Sequence, residues 1–182
     1  MRVVAGELRG RKLRTPPDER ARPTTDRVRE ALFNALGSLD AVEGERVLDL
    51  FAGPGALGIV AVSRGADLVT FVEQDRRMAE VLRANLADLA IGDRATVHVG
   101  DAFRWLAHRP ADEAFDLALL DPPYTFDRWI DLLEALPAPL AVVESDRLPD
   151  LPAAWGVVRQ KRYGGTIVAI VERASSKHVG DT

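Results

Sequence analysis

The chain has 182 residues, 47% of them hydrophobic and 29% charged, which is enough for one full-sized domain with a hydrophobic core. It contains no cysteine, and this excludes disulfides and thiolate metal sites. The N-terminus has no apolar stretch of signal-peptide length, and no run approaches the roughly 18 apolar residues of a membrane span. These features predict a soluble, cytoplasmic protein that does not contact a membrane.

Charge is distributed unevenly along the chain. Residues 1–29 hold nine Arg or Lys and four Asp or Glu, a net charge of +5, whereas the remainder carries −9. A basic arm on an acidic body favours a polyanionic partner for the arm. An ordinary solvated surface segment would give the same charge pattern.

The N-terminal region is expected to lie outside the main sheet. Residues 2–13 predict a short basic β-hairpin with glycines near its turn, and residues 15–23 form a proline-punctuated linker. A helix is expected next, capped by a residue of the 24–26 stretch and ending near Gly37.

From residue 46 onward, short apolar strands alternate with amphipathic helices. The expected strands are 46–51, 67–73, 95–100, 115–120 and 140–145, and the expected helices are 56–64, 75–89, 101–108 and 127–136. Two further strands, 157–163 and 166–173, are expected to pair as an antiparallel hairpin around Gly164 and Gly165.

This alternation predicts an α/β fold with a seven-stranded, mainly parallel sheet that is covered by helices on both faces and closed by an antiparallel C-terminal hairpin. The expected organisation is a basic N-terminal hairpin and linker, a main domain and a disordered tail, at 1–23, 24–173 and 174–182 respectively.

Acidic residues occur near the end of each of the first four strands. They lie in the segments DLFAGPGALG, VEQD, GDAF and DPPY. In an open parallel sheet, ligands bind outside the carboxyl ends of the strands. These four segments are therefore the expected site.

The first segment contains Gly53, Gly55 and Gly58 in a G-x-G-x-x-G pattern, with Glu73 twenty residues beyond Gly53. This spacing fits a dinucleotide site, in which Glu73 would accept the ribose hydroxyls. Asp49 favours another adenosine ligand, because a carboxylate at this point would repel a pyrophosphate and attract an ammonium group. Pro54 also removes one N–H group from a phosphate-binding turn.

The third segment places Asp101 at the end of a strand. Its carboxylate could accept a hydrogen bond from an adenine amino group, or it could simply cap the helix that follows.

The fourth segment, DPPY, combines two acceptors with an aromatic ring. Asp121 precedes a proline, so its backbone is held extended. Pro122 and Pro123 fix the turn and leave carbonyl oxygens available. Together with the ring of Tyr124, these groups suit a planar exocyclic amine, as in adenine, guanine, cytosine or a glutamine side chain.

The order AGPGALG, VEQD, GDAF and DPPY resembles class I S-adenosylmethionine-dependent methyltransferases that act on exocyclic amines. Together with MRVVAGELRGRKL, RPTTDRVREALFNAL and RYGGTIVAIVER, it resembles the RsmD-type 16S ribosomal RNA (guanine-N2) methyltransferases from residue 1 to about 173. The resemblance implies a Rossmann-like fold, S-adenosyl-L-methionine as cofactor, and 16S rRNA as partner, within a small ribosomal subunit or its assembly intermediate.

The resemblance also implies roles for individual residues. Cofactor contacts are expected from Asp49, Phe51, Gly53, Gly55, Glu73, Gln74, Asp101 and Ala102. The flipped guanine is expected to meet Asp121, Pro122, Pro123 and Tyr124. RNA contacts are expected from Arg9, Arg11, Lys12, Arg14, Arg22, Thr24 and Thr25.

Three alternatives remain at this point. They are a nicotinamide-dependent oxidoreductase, a DNA adenine-N6 or other exocyclic-amine methyltransferase, and an RNA-binding or assembly factor that keeps the fold without activity. The chain's three histidines show no metal-ligand spacing, so no metal is expected. A monomer is expected, since no sequence feature indicates an obligate dimer.

Overall fold

The computed structural model describes residues 1–16 and 26–174 of the chain. The helices in these ranges are α1 (Asp26–Gly37), α2 (Ala56–Ser63), α3 (Arg76–Leu89), α4 (Ala102–His108) and α5 (Trp129–Ala135), with a 3₁₀ turn at Gly92–Arg94. The strands are β1 (Arg46–Asp49), β2 (Leu68–Glu73), β3 (Ala95–Val99), β4 (Leu117–Leu120), β5 (Leu140–Ser145), β6 (Trp155–Tyr163) and β7 (Thr166–Arg173).

The strands form one sheet in the order β3-β2-β1-β4-β5-β7-β6. The pairs among β1 to β5 are parallel, and β7 pairs antiparallel with both β5 and β6. The predicted seven-stranded sheet with its antiparallel C-terminal hairpin is therefore confirmed. Strand order reverses between β1 and β4, which is where open α/β sheets bind ligands.

The central strands are buried on both faces, and consecutive residues in them point to opposite sides of the sheet. In β1, Val47 packs with the cluster under α1, α2 and α3, whereas Leu48 packs with the cluster under α4 and α5. In β4, Leu119 and Leu120 divide in the same way. Two-sided burial explains why these strands appear in the sequence as continuous apolar runs.

The predicted N-terminal β-hairpin is not seen as a pair of strands. Residues 1–13 make one isolated antiparallel bridge, between Arg2 and Lys12. Beyond it, the chain turns onto the last residue of α2. The N–H groups of Glu7 and Leu8 donate to the backbone oxygen and to Oγ of Ser63 (2.8 and 2.9 Å), and Ser63 Oγ–H donates to Ala5 O (2.5 Å). Three backbone hydrogen bonds join the two arms, from Val3 N to Arg11 O, Gly10 N to Val3 O and Leu13 N to Met1 O, whereas groups at the tip bond to α2.

Some sequence predictions lie outside the described residues. These are most of the 15–23 linker, Thr24 and Thr25 as helix caps, and the tail at 175–182. Within the described ranges, no helix is both long and apolar enough to cross a membrane.

The contact between the N-terminal segment and α2 leads to a stability prediction. Gly6 and Gly10 have nearly the same left-handed backbone, with φ of +81° and +83°. A Cβ at Gly6 would lie 1.8 Å from the backbone oxygen of Ser63, whereas a Cβ at Gly10 would meet nothing within 4 Å. Both Gly→Ala changes carry the backbone strain, but only Gly6→Ala also clashes. We expect Gly6→Ala to lower the free energy of unfolding by about 1–3 kcal/mol more than Gly10→Ala does.

Chemical denaturation and limited proteolysis of residues 1–16 would measure this difference. Equal stability and equal protease sensitivity of the two variants would show that the contact with Ser63 does not hold the segment.

Candidate active site

A cavity of about 560 Å³ opens at the carboxyl ends of β1 to β4. Residues from all four acidic segments line it, which confirms that the sheet brings them together. The predicted site residues in its lining are Asp49, Phe51, Gly53, Glu73, Gln74, Asp101, Ala102, Asp121 and Pro123. Gly55, Pro122 and Tyr124 are not among the lining residues.

Glycine is required at the three positions after β1 for different structural reasons. Gly53 has φ of +52° and lines the cavity, and a Cβ there would meet nothing within 4 Å. A Cβ at Gly55 would lie 2.4 Å from Leu82 Cδ1, and one at Gly58 would lie 2.2 Å from the ring of Phe71. Gly53 therefore borders the space for a ligand, while Gly55 and Gly58 allow the loop and α2 to pack against the core.

Asp49 is the last residue of β1 and is 1% exposed. Its Oδ2 accepts the N–H of Gly58 at 2.9 Å. Burial raises the pKa of Asp49 to about 7, the Gly58 hydrogen bond opposes this, and the negative charge of Glu73 adds to it. A buried carboxylate at the cavity wall is a strong attractor for a cationic ligand group, which would relieve its desolvation.

Glu73 at the end of β2 is held by two backbone amides. Its Oε2 accepts from Gly53 N and its Oε1 from Asp75 N, both at 2.7 Å. A carboxylate has about four acceptor positions, so each oxygen keeps capacity for a further donor. The two fixed oxygens therefore suit a pair of adjacent hydroxyl groups, with Gln74 beside them in the cavity wall.

Both interpretations of Asp101 find support. Its side chain caps α4 by accepting the N–H of Arg104 at 2.9 Å. The same residue lines the cavity beside Ala102 and Gly100. One carboxylate oxygen makes the cap, and a ligand amine could use the other.

The DPPY turn separates the main cavity from a second one. Pro123 lines both, and its carbonyl accepts the N–H of Phe126 at 2.8 Å, which closes the turn. Tyr124 lies on the side of the second cavity, 43% exposed, and its hydroxyl is 2.7 Å from Oγ1 of Thr166. The C-terminal hairpin thus fixes the tyrosine at the tip of the turn.

A group of aromatic side chains packs around Phe126, next to the DPPY turn. The sequence analysis did not identify this group. The ring of Phe126 is 5.6 Å from that of Phe51, 6.3 Å from that of Phe103 and 5.1 Å from that of Trp129. The guanidinium of Arg128 lies 3.9 Å over Phe103. The phenylalanine two residues beyond DPPY was the available signal, but only the fold shows what it packs against.

A buried arginine with acidic neighbours beside the site was also missed. Arg29 of α1 is 5% exposed, lines the main cavity and forms an ion pair with Asp26 (2.5 Å). Burial lowers the pKa of Arg29, while the charges of Asp26, Glu144 and Asp121 oppose this shift. Arg29 lies within the RPTTDRVRE segment, whose basic residues indicated RNA contact rather than a place in the core.

The predicted RNA-contacting residues lie in different environments. Arg9 and Lys12 are exposed. Arg11 donates to the Asp88 backbone oxygen, and Arg14 pairs with the Asp88 carboxylate at 2.7 Å. Arg22, Thr24 and Thr25 are outside the described residues.

Asn85 of α3 links the N-terminal segment to the glycine loop. It is 1% exposed, and its Oδ1 accepts the N–H of Arg14 at 2.7 Å. Its Nδ2 donates to Arg14 O and to Pro54 O, at 3.2 and 2.9 Å. The basic segment is therefore anchored to the wall of the main cavity by a single buried amide, and Thr15 beside it lines that cavity.

Comparisons with known proteins agree on one family. The family described as "Conserved hypothetical protein 95" matches residues 1–172. Ribosomal RNA small subunit methyltransferase D of Escherichia coli K12 is 37% identical to the chain, over 95% of this chain and 90% of its own. The protein of that name from Haemophilus influenzae is 34% identical, over 90% and 89%.

Solved structures give the same answer for the fold. The structure of yhhF from Escherichia coli has a TM-score of 0.84 at 37% identity and covers 96% of this chain and 98% of its own. The chain therefore belongs to the Conserved hypothetical protein 95 family, the S-adenosylmethionine-dependent methyltransferases that include the ribosomal RNA small subunit methyltransferase D proteins.

Proposed function

We propose that this chain transfers the methyl group of S-adenosylmethionine to the exocyclic N2 of a guanine in the 16S rRNA of the small ribosomal subunit. The observation that carries the proposal is the position of the DPPY turn between two cavities. Asp121 lines the main cavity, Pro122 and Tyr124 line the second, and Pro123 lines both. An exocyclic amine held at the DPPY turn would lie between a ligand in the main cavity and a ligand in the second cavity.

The main cavity suits the cofactor by the chemistry of its wall. Asp49 would receive the ammonium group, Glu73 the ribose hydroxyls and Asp101 the adenine amino group. Phe51, Gly53, Gln74 and Ala102 would complete the contact surface, and Gly55 would support it through its packing. When bound, the cofactor supplies an electrophilic methyl group.

Asp121 and the Pro122 carbonyl would hold the two hydrogens of the guanine amine. The lone pair of guanine N2 is delocalised into the ring, so the free amine is a weak nucleophile. Two acceptors on its hydrogens would favour tetrahedral geometry and localise that lone pair. As N2 takes the methyl group and the S–CH₃ bond breaks, positive charge would develop on N2, and the Asp121 carboxylate would stabilise it. Asp121 would then accept the N2 proton and pass it to solvent.

RNA would be held partly by cations outside the cavities. Arg9 and Lys12 are exposed on the N-terminal segment, and edge strand β6 exposes Arg159, Lys161 and Arg162. β6 ends beside Thr166, the partner of Tyr124. Phosphate contacts from these cations would orient the RNA without reading its sequence.

The function is tested by methyl transfer from labelled S-adenosylmethionine to unmodified small subunits, free 16S rRNA and duplex DNA in parallel. Mass spectrometry of the nucleosides should show N2-methylguanosine in RNA, and Asp121→Ala should lower turnover about 10²- to 10⁴-fold. N6-methyladenine in DNA would instead identify the adenine-N6 alternative, and no product despite cofactor binding would oppose catalysis on any of these substrates.

A second prediction concerns protons released on cofactor binding. Because the pKa of Asp49 is raised to about 7, the folded protein holds a proton that the unfolded chain has lost at about pH 6. Its contribution to stability is present below the ordinary aspartate pKa and is lost as the pH rises through 7. A bound ammonium group would favour the carboxylate, so binding S-adenosylhomocysteine at pH 6 should release up to one proton.

Titration calorimetry in buffers of different ionisation enthalpy would count these protons. Asp49→Asn keeps an acceptor for Gly58 but cannot ionise, and it should release none through this position. The same proton count for both proteins would show that Asp49 does not meet the ammonium group.

The ring of Tyr124 should contribute through stacking on the base. Tyr124→Ala is expected to lower kcat/KM about 10- to 200-fold, because stacking on an aromatic side chain is worth about 1–3 kcal/mol per base. Tyr124→Phe is the matched control, since it keeps the ring and loses only the hydrogen bond to Thr166. It should cost about 2- to 10-fold. If the phenylalanine variant lost as much as the alanine variant, the hydroxyl rather than the ring would matter.

The salt dependence of RNA binding should reveal which cations contact phosphate. Each contact removed should reduce the slope of log K against log salt by about 0.7–0.9. We expect this reduction for Lys12→Ala and for Arg162→Ala. Arg46→Ala is the control, because Arg46 is exposed at the start of β1, at the opposite edge of the sheet from the main cavity. Equal slopes for all three variants and the unchanged protein would remove Lys12 and Arg162 from the RNA surface.

A further inference from the structure

The second cavity, of about 250 Å³, lies between the DPPY turn and the segment that follows β5. It is smaller than the roughly 300–1,000 Å³ of sites for drug-sized ligands, so it suits a single ring system. Apolar and aromatic groups such as Pro122, Tyr124 and Trp129 form part of its wall. The polar and charged residues of the wall are Asp127, Glu144, Ser145, Asp146, Arg147 and Asp150.

Glu144 is the buried acid of this cavity, at 1% exposure. The register of β4 and β5 places it next to Asp121, because Leu120 pairs with Val143 and each acid is the following residue. Parallel strands lie about 4.8 Å apart, and residues in register share a face. The two carboxylates therefore stand side by side at the edge of the sheet.

Arg29 supplies positive charge beside the buried Glu144 and the half-buried Asp121. The charges of both Glu144 and Asp121 act on its guanidinium, which is itself 5% exposed. A buried carboxylate is stable in its charged form when it has such a partner. In that form Glu144 can only accept hydrogen bonds.

We propose that Glu144 is a specificity-determining residue that accepts the N1–H of guanine in the second cavity, while Asp121 and Pro122 hold N2. This inference rests on the proposed function. Guanine presents N1–H and the N2 amine as neighbouring donors, and the two neighbouring carboxylates match them. Adenine presents an acceptor at N1, which would face the Glu144 carboxylate and be repelled. Flipped bases are commonly read through this Watson–Crick edge.

The test changes the Watson–Crick edge of the substrate. Mass spectrometry first identifies the guanosine that the wild-type enzyme methylates, in the smallest RNA or ribonucleoprotein that serves as substrate. That nucleotide is then replaced by 2-aminopurine, which keeps the amine at position 2 but lacks the N1–H and the carbonyl oxygen O6. Loss of O6 would affect the wild type and Glu144→Gln alike, so comparison of the two enzymes isolates the contact at N1. We expect kcat/KM of the wild-type enzyme to fall at least about 100-fold, because a site built for a donor rejects an analogue without it.

The Glu144→Gln variant, tested on both guanine and 2-aminopurine, completes a cycle of two enzymes and two substrates. Its amide can donate to an N1 acceptor, so the variant should be at least about 10-fold slower on guanine and should discriminate much less between guanine and 2-aminopurine. Glu134→Gln makes the same chemical change at an exposed position of α5 and should behave as wild type. Unchanged affinity for S-adenosylhomocysteine would separate this effect from damage to the main cavity.

The results distinguish the two proposals. Methylation of 2-aminopurine within about threefold of guanine by the wild-type enzyme would overturn the role of Glu144 even if Glu144→Gln failed to fold. Equal discrimination by the Glu144→Gln variant and the wild type would overturn it as well. Absence of N2-methylguanosine from every RNA would overturn the proposed function itself.

Discussion

The site depends on the parallel, in-register pairing of the central strands. Asp49 ends β1 between β2 and β4, and its register partners are Phe71 and Leu119. Parallel strands end at the same edge of the sheet. The acids at the strand ends therefore lie close together even where their loops do not touch. The consequence is a concentration of negative charge that each acid must tolerate.

Each of these acids is stabilised in a different way. Asp49 is desolvated, and its pKa rises to about 7. Glu73 is held by two backbone amides, and Asp101 by the N-terminus of α4. Asp121 and its neighbour Glu144 have a buried arginine nearby. These differences would give each acid a separate function toward a ligand, although all five lie at or near the carboxyl end of a strand.

The N-terminal segment is part of the same construction. The tip of the segment hydrogen-bonds to Ser63 at the end of α2. Asn85 hydrogen-bonds to Arg14 of the segment and to Pro54 of the glycine loop. Arg29, on the first helix, reaches the acids of β4 and β5. Elements that precede the sheet in the chain therefore line the main cavity, so RNA bound to the N-terminal segment and a ligand bound in the main cavity would share one wall.

The sequence by itself determined the order and type of the elements, because buried parallel strands leave apolar runs that alternate with helical periodicity. It also located the acidic segments, since ligand chemistry at the ends of strands requires residues that have no place in a core. Tertiary structure alone decided which glycine borders the cavity, because Gly53 and Gly55 differ only in what surrounds them.

The fold likewise decided the roles of Glu144 and Arg29. In the sequence Glu144 ends an ordinary strand and Arg29 is one of several basic residues. The charge of Glu144 acts on the buried Arg29, beside Asp121, only through the register of β4 with β5 and the docking of α1. The predicted N-terminal hairpin is reduced to one bridge for a related reason: the tip of the segment bonds to Ser63 of α2, and a partner that is distant in sequence leaves no local pattern.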